Sequence, residues 1–483
     1  MSIVEQQLTQ VASASLPRIL MVSHGIGGGV ARHIHELIEL LQGRAHVLLL
    51  EPMANRSLLR LMVPVLNEQA DVALGEYSSI SLAYRWPQDA ALLWQLLQWL
   101  GVSRVHIHHA LGWAADFWPQ LQRQGWDYDL TLHDHSIFTG HPSLVNHKGV
   151  FEPQWLNQAL ADLPQGDRKL ACSLQGLAAQ AQRIIVPSAQ LLQAVHYLLP
   201  ELAQHACLLH RAHPDGEYVK AYPQPSLRTL QEDAPLRVLC LGMLSIEKGA
   251  GVLAQVAQQA YSRGAPLKFI LLGSCHVPLP VHVERLGSYA DAQVQALLSE
   301  IQPHVIWLPA QCPETWSYTL SVAFKAGLPV LTSDVGVFPE RVQGRPLSWL
   351  CPHNSLAAHW LAQLLEVRAA HFAQQSVPFW SWVPPPAFYL NATPATLNSA
   401  YALTLRVPPA APLPVVLSAS FAAAQRRARQ RTPWWRRSVL TVLAVLRESR
   451  WLLPIANLIP YAWQQKIKRL ITREPVPERR RRR

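Results

Sequence analysis

Short apolar runs alternate along the chain with stretches whose apolar residues recur at helical spacing, the sequence form of repeated βαβ units and a mostly parallel sheet. In the first half the runs 18–23, 45–50, 104–108, 128–133, 183–186 and 207–210 read as strands. Between the first two, Val30, Ile34, Leu37, Ile38 and Leu41 fall on one helix face. After Tyr222-Pro-Gln-Pro-Ser the pattern restarts with 237–241, 268–272, 304–308 and 329–332. The expectation is an α/β chain with two doubly wound domains, 1–220 and 237–376, joined by a linker over 221–236. A length of 483 residues agrees, because single cores stop growing near about 250–300 residues.

Composition changes the picture only at the far end. From 377 to 420 the chain is Pro-rich and reads as a segment lying over the surface. Of the 42 Lys and Arg, 17 fall in 421–483 with only 3 of the 31 Asp and Glu, which leaves 25 against 28 on the rest. A near-neutral body with a basic end points to an anionic surface met by the tail. Two apolar stretches in that tail are split by Arg447, Glu448 and Arg450 and rimmed by Trp434, Trp435, Trp451 and Trp463. Neither reaches the roughly 18 apolar residues of a spanning helix, and the pattern suits an amphipathic element on an anionic membrane. Read instead as a nucleic-acid grip, the Arg479 to Arg483 run lacks any accompanying binding fold, so no nucleic acid is expected. Six cysteines stand far apart without a C-x-x-C pair, and no basic, apolar leader opens the chain. A reducing, cytoplasmic location is expected, peripheral on the inner face of the cell membrane.

Candidate chemistry lies at strand ends. The first strand runs into His24-Gly-Ile-Gly27-Gly28-Gly29 and then a helix, a turn whose free amides and helix dipole suit phosphate. A nicotinamide fingerprint would need Gly where Val30 stands, although Glu51 ends the second strand where a ribose ligand would sit. The fourth strand closes on His133 and Asp134, where an imidazole can donate to a substrate hydroxyl and a carboxylate can hold its tautomer. His106, His108 and His109 raise the idea of a metal site, but no Cys or carboxylate cluster completes it, and no metal is expected. In the second half, Gly242 closes a strand and Lys248 follows as a point charge for a diphosphate. Pro313-Glu314 then leads through Ser317, Tyr318 and Thr319 into a helix, which sets a carboxylate beside amides that can hold phosphate.

Taken together, GIGGGVARH, LTLHDH, IIVPS, LHRAHP, the Lys248-Gly249 loop, LGSYAD, PETWSYTLS and AGLPVLTSDVGVFPER resemble glycosyltransferase family 4, the bacterial polysaccharide- and lipopolysaccharide-assembly branch, over roughly residues 17–368. The resemblance implies the GT-B architecture of two Rossmann-like domains facing a cleft. It also implies a retaining transfer of sugar from a nucleotide diphosphate sugar to a polysaccharide or lipid-linked glycan acceptor, without metal or other cofactor. Carried over, His133 and Glu314 would be catalytic, His133 against the donor sugar and Glu314 on its hydroxyls. Gly242, Lys248 and the amides of Ser317, Tyr318 and Thr319 would hold the diphosphate. Gly27, Gly28 and Gly29 would close over the phosphates, and Gly287 and Tyr289 would border the base. The family's E-x7-E pattern has its second Glu, a ribose ligand, where this chain has Val322. That loses a charge-assisted bond of about 1.5–3 kcal/mol. Met243 stands where an Arg often precedes the lysine. The alternative reading is a catalytically weakened or inactive GT-B relative acting as a partner in a polysaccharide assembly complex.

Overall fold

The computed structural model describes residues 2–53, 57–66, 79–144, 151, 163, 165–205, 207–216, 222–275, 277–374, 376–381 and 411–429. The continuous apolar runs form strands covered on both faces, as parallel sheets require. The first domain holds β1 (Arg18–Val22), β2 (His46–Pro52), β3 (Leu58–Pro64), β4 (Ser79–Arg85), β5 (Val102–Ile107), β6 (Tyr128–Thr131), β7 (Arg183–Val186) and β8 (Leu208–His210). They form one sheet in the order β4-β3-β2-β1-β5-β6-β7-β8. All neighbours are parallel except β3, which runs antiparallel to β2 and β4. In β1, Ile19 and Met21 pack to one face with Ile34 and Leu37, while Leu20 and Val22 pack to the other with Leu93 and Leu97.

The second domain holds β9 (Leu236–Leu244), β10 (Leu267–Cys275), β11 (Glu284–Gly287), β12 (Val305–Leu308), β13 (Val330–Ser333) and β14 (Ser348–Cys351). Their order, β11-β10-β9-β12-β13-β14, is 3-2-1-4-5-6 within the domain, the doubly wound nucleotide-binding order. Val238 and Cys240 pack with Trp307 and Trp360 on one face, and Leu239 and Leu241 with Leu320 and Phe324 on the other. Two Rossmann-like domains in contact along their strand ends make up the GT-B architecture.

The segments outside the sheets are tied down. Residues 222–230 pack on the second domain: Tyr222 stacks on Trp380 at 6.2 Å, and Gln224 exchanges hydrogen bonds with the Trp380 backbone. The helix Val415–Ala428 crosses the boundary drawn at 421 and docks on the first domain through Leu417, Phe421 and Ala424. These three sit at i, i+4 and i+7, one buried stripe. Arg427 fixes the helix with a 2.9 Å bond to the Ala83 carbonyl and a 3.2 Å pair with Asp89. Basic residues through Arg427 therefore include a structural one. The four tail tryptophans and the polyarginine run lie outside the described residues. No described helix is long and apolar enough to cross a membrane.

Candidate active site

In the second sheet the strand order reverses between β9 and β12, the place where such sheets bind ligands outside their carboxyl ends. Lys248 sits in the loop after β9. The next residue, Gly249, has φ +86°, and a Cβ there would lie 2.0 Å from the Pro309 carbonyl oxygen, so only glycine lets this loop press on the end of β12. Beyond β12 comes Glu314, whose Oε1 is 3.2 Å from Lys248 Nζ. The Glu314 charge, against the cost of burial, raises the Lys248 pKa. Gly336 lies so close beneath Glu314 that a Cβ would come 2.5 Å from its amide nitrogen. Val337 N–H donates to the Glu314 carbonyl at 2.9 Å.

Three residues on, Ser317 takes φ +68° and ψ +87°, a strained backbone for a residue with a Cβ. Arg341 holds it there, donating 2.8 Å bonds to the Trp316 and Ser317 carbonyls and to Ser321 Oγ. Ser317 is the N-cap of the helix Tyr318–Lys325, and its side chain caps none of the helix amides. Instead its hydroxyl lies 3.1 Å from that of Thr319. The first amides thus remain for an anion. Thr319 also packs 3.3 Å from where a Cβ on Gly242 would stand, which draws β9, the helix start and the lysine loop together. Gly287, at φ +84°, ends β11 on the flank, and burial raises the hydroxyl pKa of nearby Tyr289.

In the first sheet the reversal lies between β1 and β5. After β1, Gly27 and Gly28 adopt φ +82° and +78°, and the helix Gly29–Leu40 begins. Beyond β5 come His108 and His109, and beyond β6 His133 and Asp134. Asp134 does not hold His133. It accepts from His109 Nε2 at 2.9 Å and from the Ser136 N–H at 2.8 Å, and these partners keep its pKa low against the opposing effect of burial. His133 Nε2 instead faces His108 Nδ1 at 3.2 Å. His106, sharing a strand face with His108, stands 4.0 Å from it ring to ring and bonds Thr131.

The two ends meet. The Thr315 hydroxyl donates to the His133 carbonyl at 2.6 Å, so Glu314 and His133 lie on either side of one contact. Tyr318 donates to Glu36 at 3.0 Å, lies beside Gly29, and carries the Arg32 guanidinium 4.4 Å over its ring. Arg32 also pairs with Asp215 and Asp291, at 3.4 and 3.6 Å. Buried Asp215 accepts from Lys325 at 2.7 Å and from Trp316 Nε1 at 3.3 Å. Burial, with Asp215 nearby, pushes the Glu36 pKa up to about 7 against the pull of Arg32. From the second domain, Glu340 caps the helix Ala189–Leu198, accepting from the amides of Ala189 and Gln190 at 3.0 and 3.1 Å.

Gly242, Lys248, Glu314, Ser317, Tyr318 and Thr319 thus gather at one switch point, and His133 and Gly29 are brought against them. Val322 is 5 % exposed and packs in an apolar cluster with Leu241, Leu272 and Leu320, against which Tyr289 also lies. Sequence reading missed Arg32, Glu36, Asp215 and Arg341 as members of the site. The only signals were the i, i+4 spacing of Arg32 and Glu36, and Asp215 and Arg341 ending LHRAHPD and VFPER.

No protein-family model matches the chain, and no curated protein matches it in sequence. Among solved structures it is similar to a sucrose-phosphate synthase from Thermosynechococcus elongatus, at 15% identity and TM-score 0.48 over 74% of this chain and 91% of that one. It is similar to the catalytic domain of starch synthase IV from Arabidopsis thaliana bound to ADP and acarbose, at 13% and 0.47 over 81% and 100% of the two chains. It is also similar to Anabaena HepE in complex with UDP, at 13% and 0.46 over 80% and 97%.

Proposed function

We propose that the chain is a retaining glycosyltransferase that moves a sugar from a nucleotide diphosphate sugar to a polysaccharide or lipid-linked glycan acceptor. The observation that carries this reading is the Lys248–Glu314 pair beside the uncapped start of the helix Tyr318–Lys325, at the switch point of a 3-2-1-4-5-6 sheet. A departing diphosphate needs positive charge from fixed donors, and a lysine with helix amides supplies it without reorganisation. Donor binding exchanges the Lys248–Glu314 contact for two others: Lys248 turns to the diphosphate, and the carboxylate accepts from sugar hydroxyls. His133, neutral because burial and neighbouring imidazoles drive its pKa well below the usual value, donates or accepts a hydrogen bond without adding charge. The nearest carboxylate on its side, Asp134, is committed to His109 and Ser136. That favours retention over an inverting step needing a free general base. The transfer calls on no metal ion.

Action at the cytoplasmic membrane face rests on the basic, Trp-rimmed sequence beyond 429. Flotation of the full chain with anionic but not neutral vesicles tests it. For the chemistry, a panel of nucleotide sugars is assayed for nucleotide diphosphate release, with the product anomer read by NMR. The proposal expects turnover with one donor, an unchanged anomeric configuration, and loss of turnover in Glu314→Ala and His133→Ala. Wild-type rates in both variants would refute the site. Nucleotide binding without turnover would favour the non-catalytic relative, which Val322 in place of a carboxylate supports.

A further inference from the structure

The first-domain end of the cleft is unusually rich in imidazole. His33 comes from the helix Gly29–Leu40, His108 from the end of β5 and His133 from the end of β6, and one ring nitrogen of each lies within 4.8 Å of the other two. The linear spacing draws attention to His106, His108 and His109, whereas the convergence joins His108 to His33 and His133. His108 Nδ1 and His133 Nε2 are 3.2 Å apart, close to the roughly 3.4 Å edge of a tetrahedron with bonds of 2.0–2.1 Å. Among the described residues, His33 Nδ1 is buried with no hydrogen-bond partner. Buried polar atoms are rarely left so, and an orphaned donor or acceptor carries a real cost.

We propose that His33, His108 and His133 form a binding site for a divalent transition-metal ion of the zinc, cobalt and nickel type. Three imidazoles with no oxygen ligand select these ions over magnesium or calcium, which take oxygen donors. A shift of about 1.5 Å in the most distant ring nitrogen brings the set to bonding distance. His213 is the next imidazole, its ring centroid 4.2 Å from that of His33 and 5.1 Å from that of His133. His33, His108 and His213 are buried and His133 is half-buried, and all four are held uncharged, the form that ligates. The geometry does not require the chain to be a transferase; it takes His133 through Nε2, the nitrogen that faces His108, and leaves its Nδ1 for the hydrogen bond of the proposed transfer.

The test uses the full chain stripped with a chelator and titrated with Co2+, followed by visible absorption and calorimetry. One equivalent is expected to bind with the intense bands of a low-symmetry site, and Zn2+ is expected to displace it. His33→Asn and His108→Asn should each weaken binding at least tenfold, while His353→Asn, on the second domain, should leave it unchanged. X-ray absorption at the zinc edge of the wild type gives an answer that needs no variant: three imidazole nitrogens at about 2.0 Å are expected. Oxygen-only coordination, no stoichiometric binding, or full binding retained in a folded His33→Asn protein would overturn the site.

Discussion

The two switch points of this molecule have the same topology and opposite electrostatics. At the second-domain end stand a lysine, a glutamate and an uncapped helix start, joined by an ion pair of 3.2 Å. At the first-domain end stand His33, His106, His108, His133 and His213, all held neutral by burial and by one another. Topology offers a place for a ligand, and side-chain chemistry decides which part of it is held. A charged end suits a diphosphate. With no metal ion bound, the imidazole end is neutral and hydrogen-bonding, which suits the sugar and the acceptor hydroxyl that must approach it.

The largest expected effect separates the two ends by pH. An imidazole kept neutral in the fold contributes stability that is present above its ordinary pKa near 6.5, and that stability is lost as pH falls below it, because the unfolded chain takes up a proton the folded one refuses. Each such group gives a slope of about 1.4 kcal/mol per pH unit. The five first-domain imidazoles, with His135 lowered to about 4, outnumber His304 and His371 of the second domain. Glu36 acts in the opposite sense, since its raised pKa favours the fold below about 7, and it offsets roughly one histidine. Hydrogen exchange of the chelator-stripped chain between pH 7 and 5 should therefore open the first domain before the second. Simultaneous opening would remove the asymmetry.

Next in size is Lys248→Met, which should lower transfer by about 10²–10³, the loss typical of one preorganised charge-stabilising donor. Nucleotide diphosphate affinity should fall with it, while His133→Gln should lower turnover and leave that affinity near wild type. Calorimetry with the free nucleotide distinguishes them. Val322→Glu should destabilise the second domain by about 1–3 kcal/mol, because the carboxylate enters an apolar cluster without a partner. A thermal melt reads this, and an unchanged melting temperature would mean that position 322 opens to the cleft. Smallest is Ser317→Gly, where relief of the positive φ should raise stability by about 1 kcal/mol. If instead it lowers the melting temperature, the hydroxyl contact with Thr319 outweighs the backbone.

The parallel core was legible because strands buried on both faces are unbroken apolar runs, as in 18–23 and 237–241. β3 and β4 were not, since an edge hairpin mixes faces: Arg60 in β3 turns out to Glu51, and β4 is half-buried over its first three residues. Short β11, with Glu284 and Arg285 exposed, carries no apolar run at all. The helix Val415–Ala428 was read across a boundary, because its basic residues resemble the tail while only three positions face the core. In the site, the loops after β9 and β12 were readable from glycine, lysine and glutamate spacing. Arg32, Glu36 and Asp215 were not, because their roles come from the contact between domains. The pairing of Asp134 with His109 also depends on how β5 turns after His108, which no spacing reveals.

The most direct measurement is thermal stabilisation of the purified protein by a panel of nucleotide diphosphates, in wild type and Lys248→Met. Binding to the native state raises the unfolding free energy by about 2.7 kcal/mol at a hundredfold excess over Kd. The account predicts a saturable shift with one nucleotide in the wild type and a much smaller one in Lys248→Met. No shift with any nucleotide diphosphate at millimolar concentration, or an equal shift in both proteins, would contradict the assignment of the second-domain switch point as the donor site.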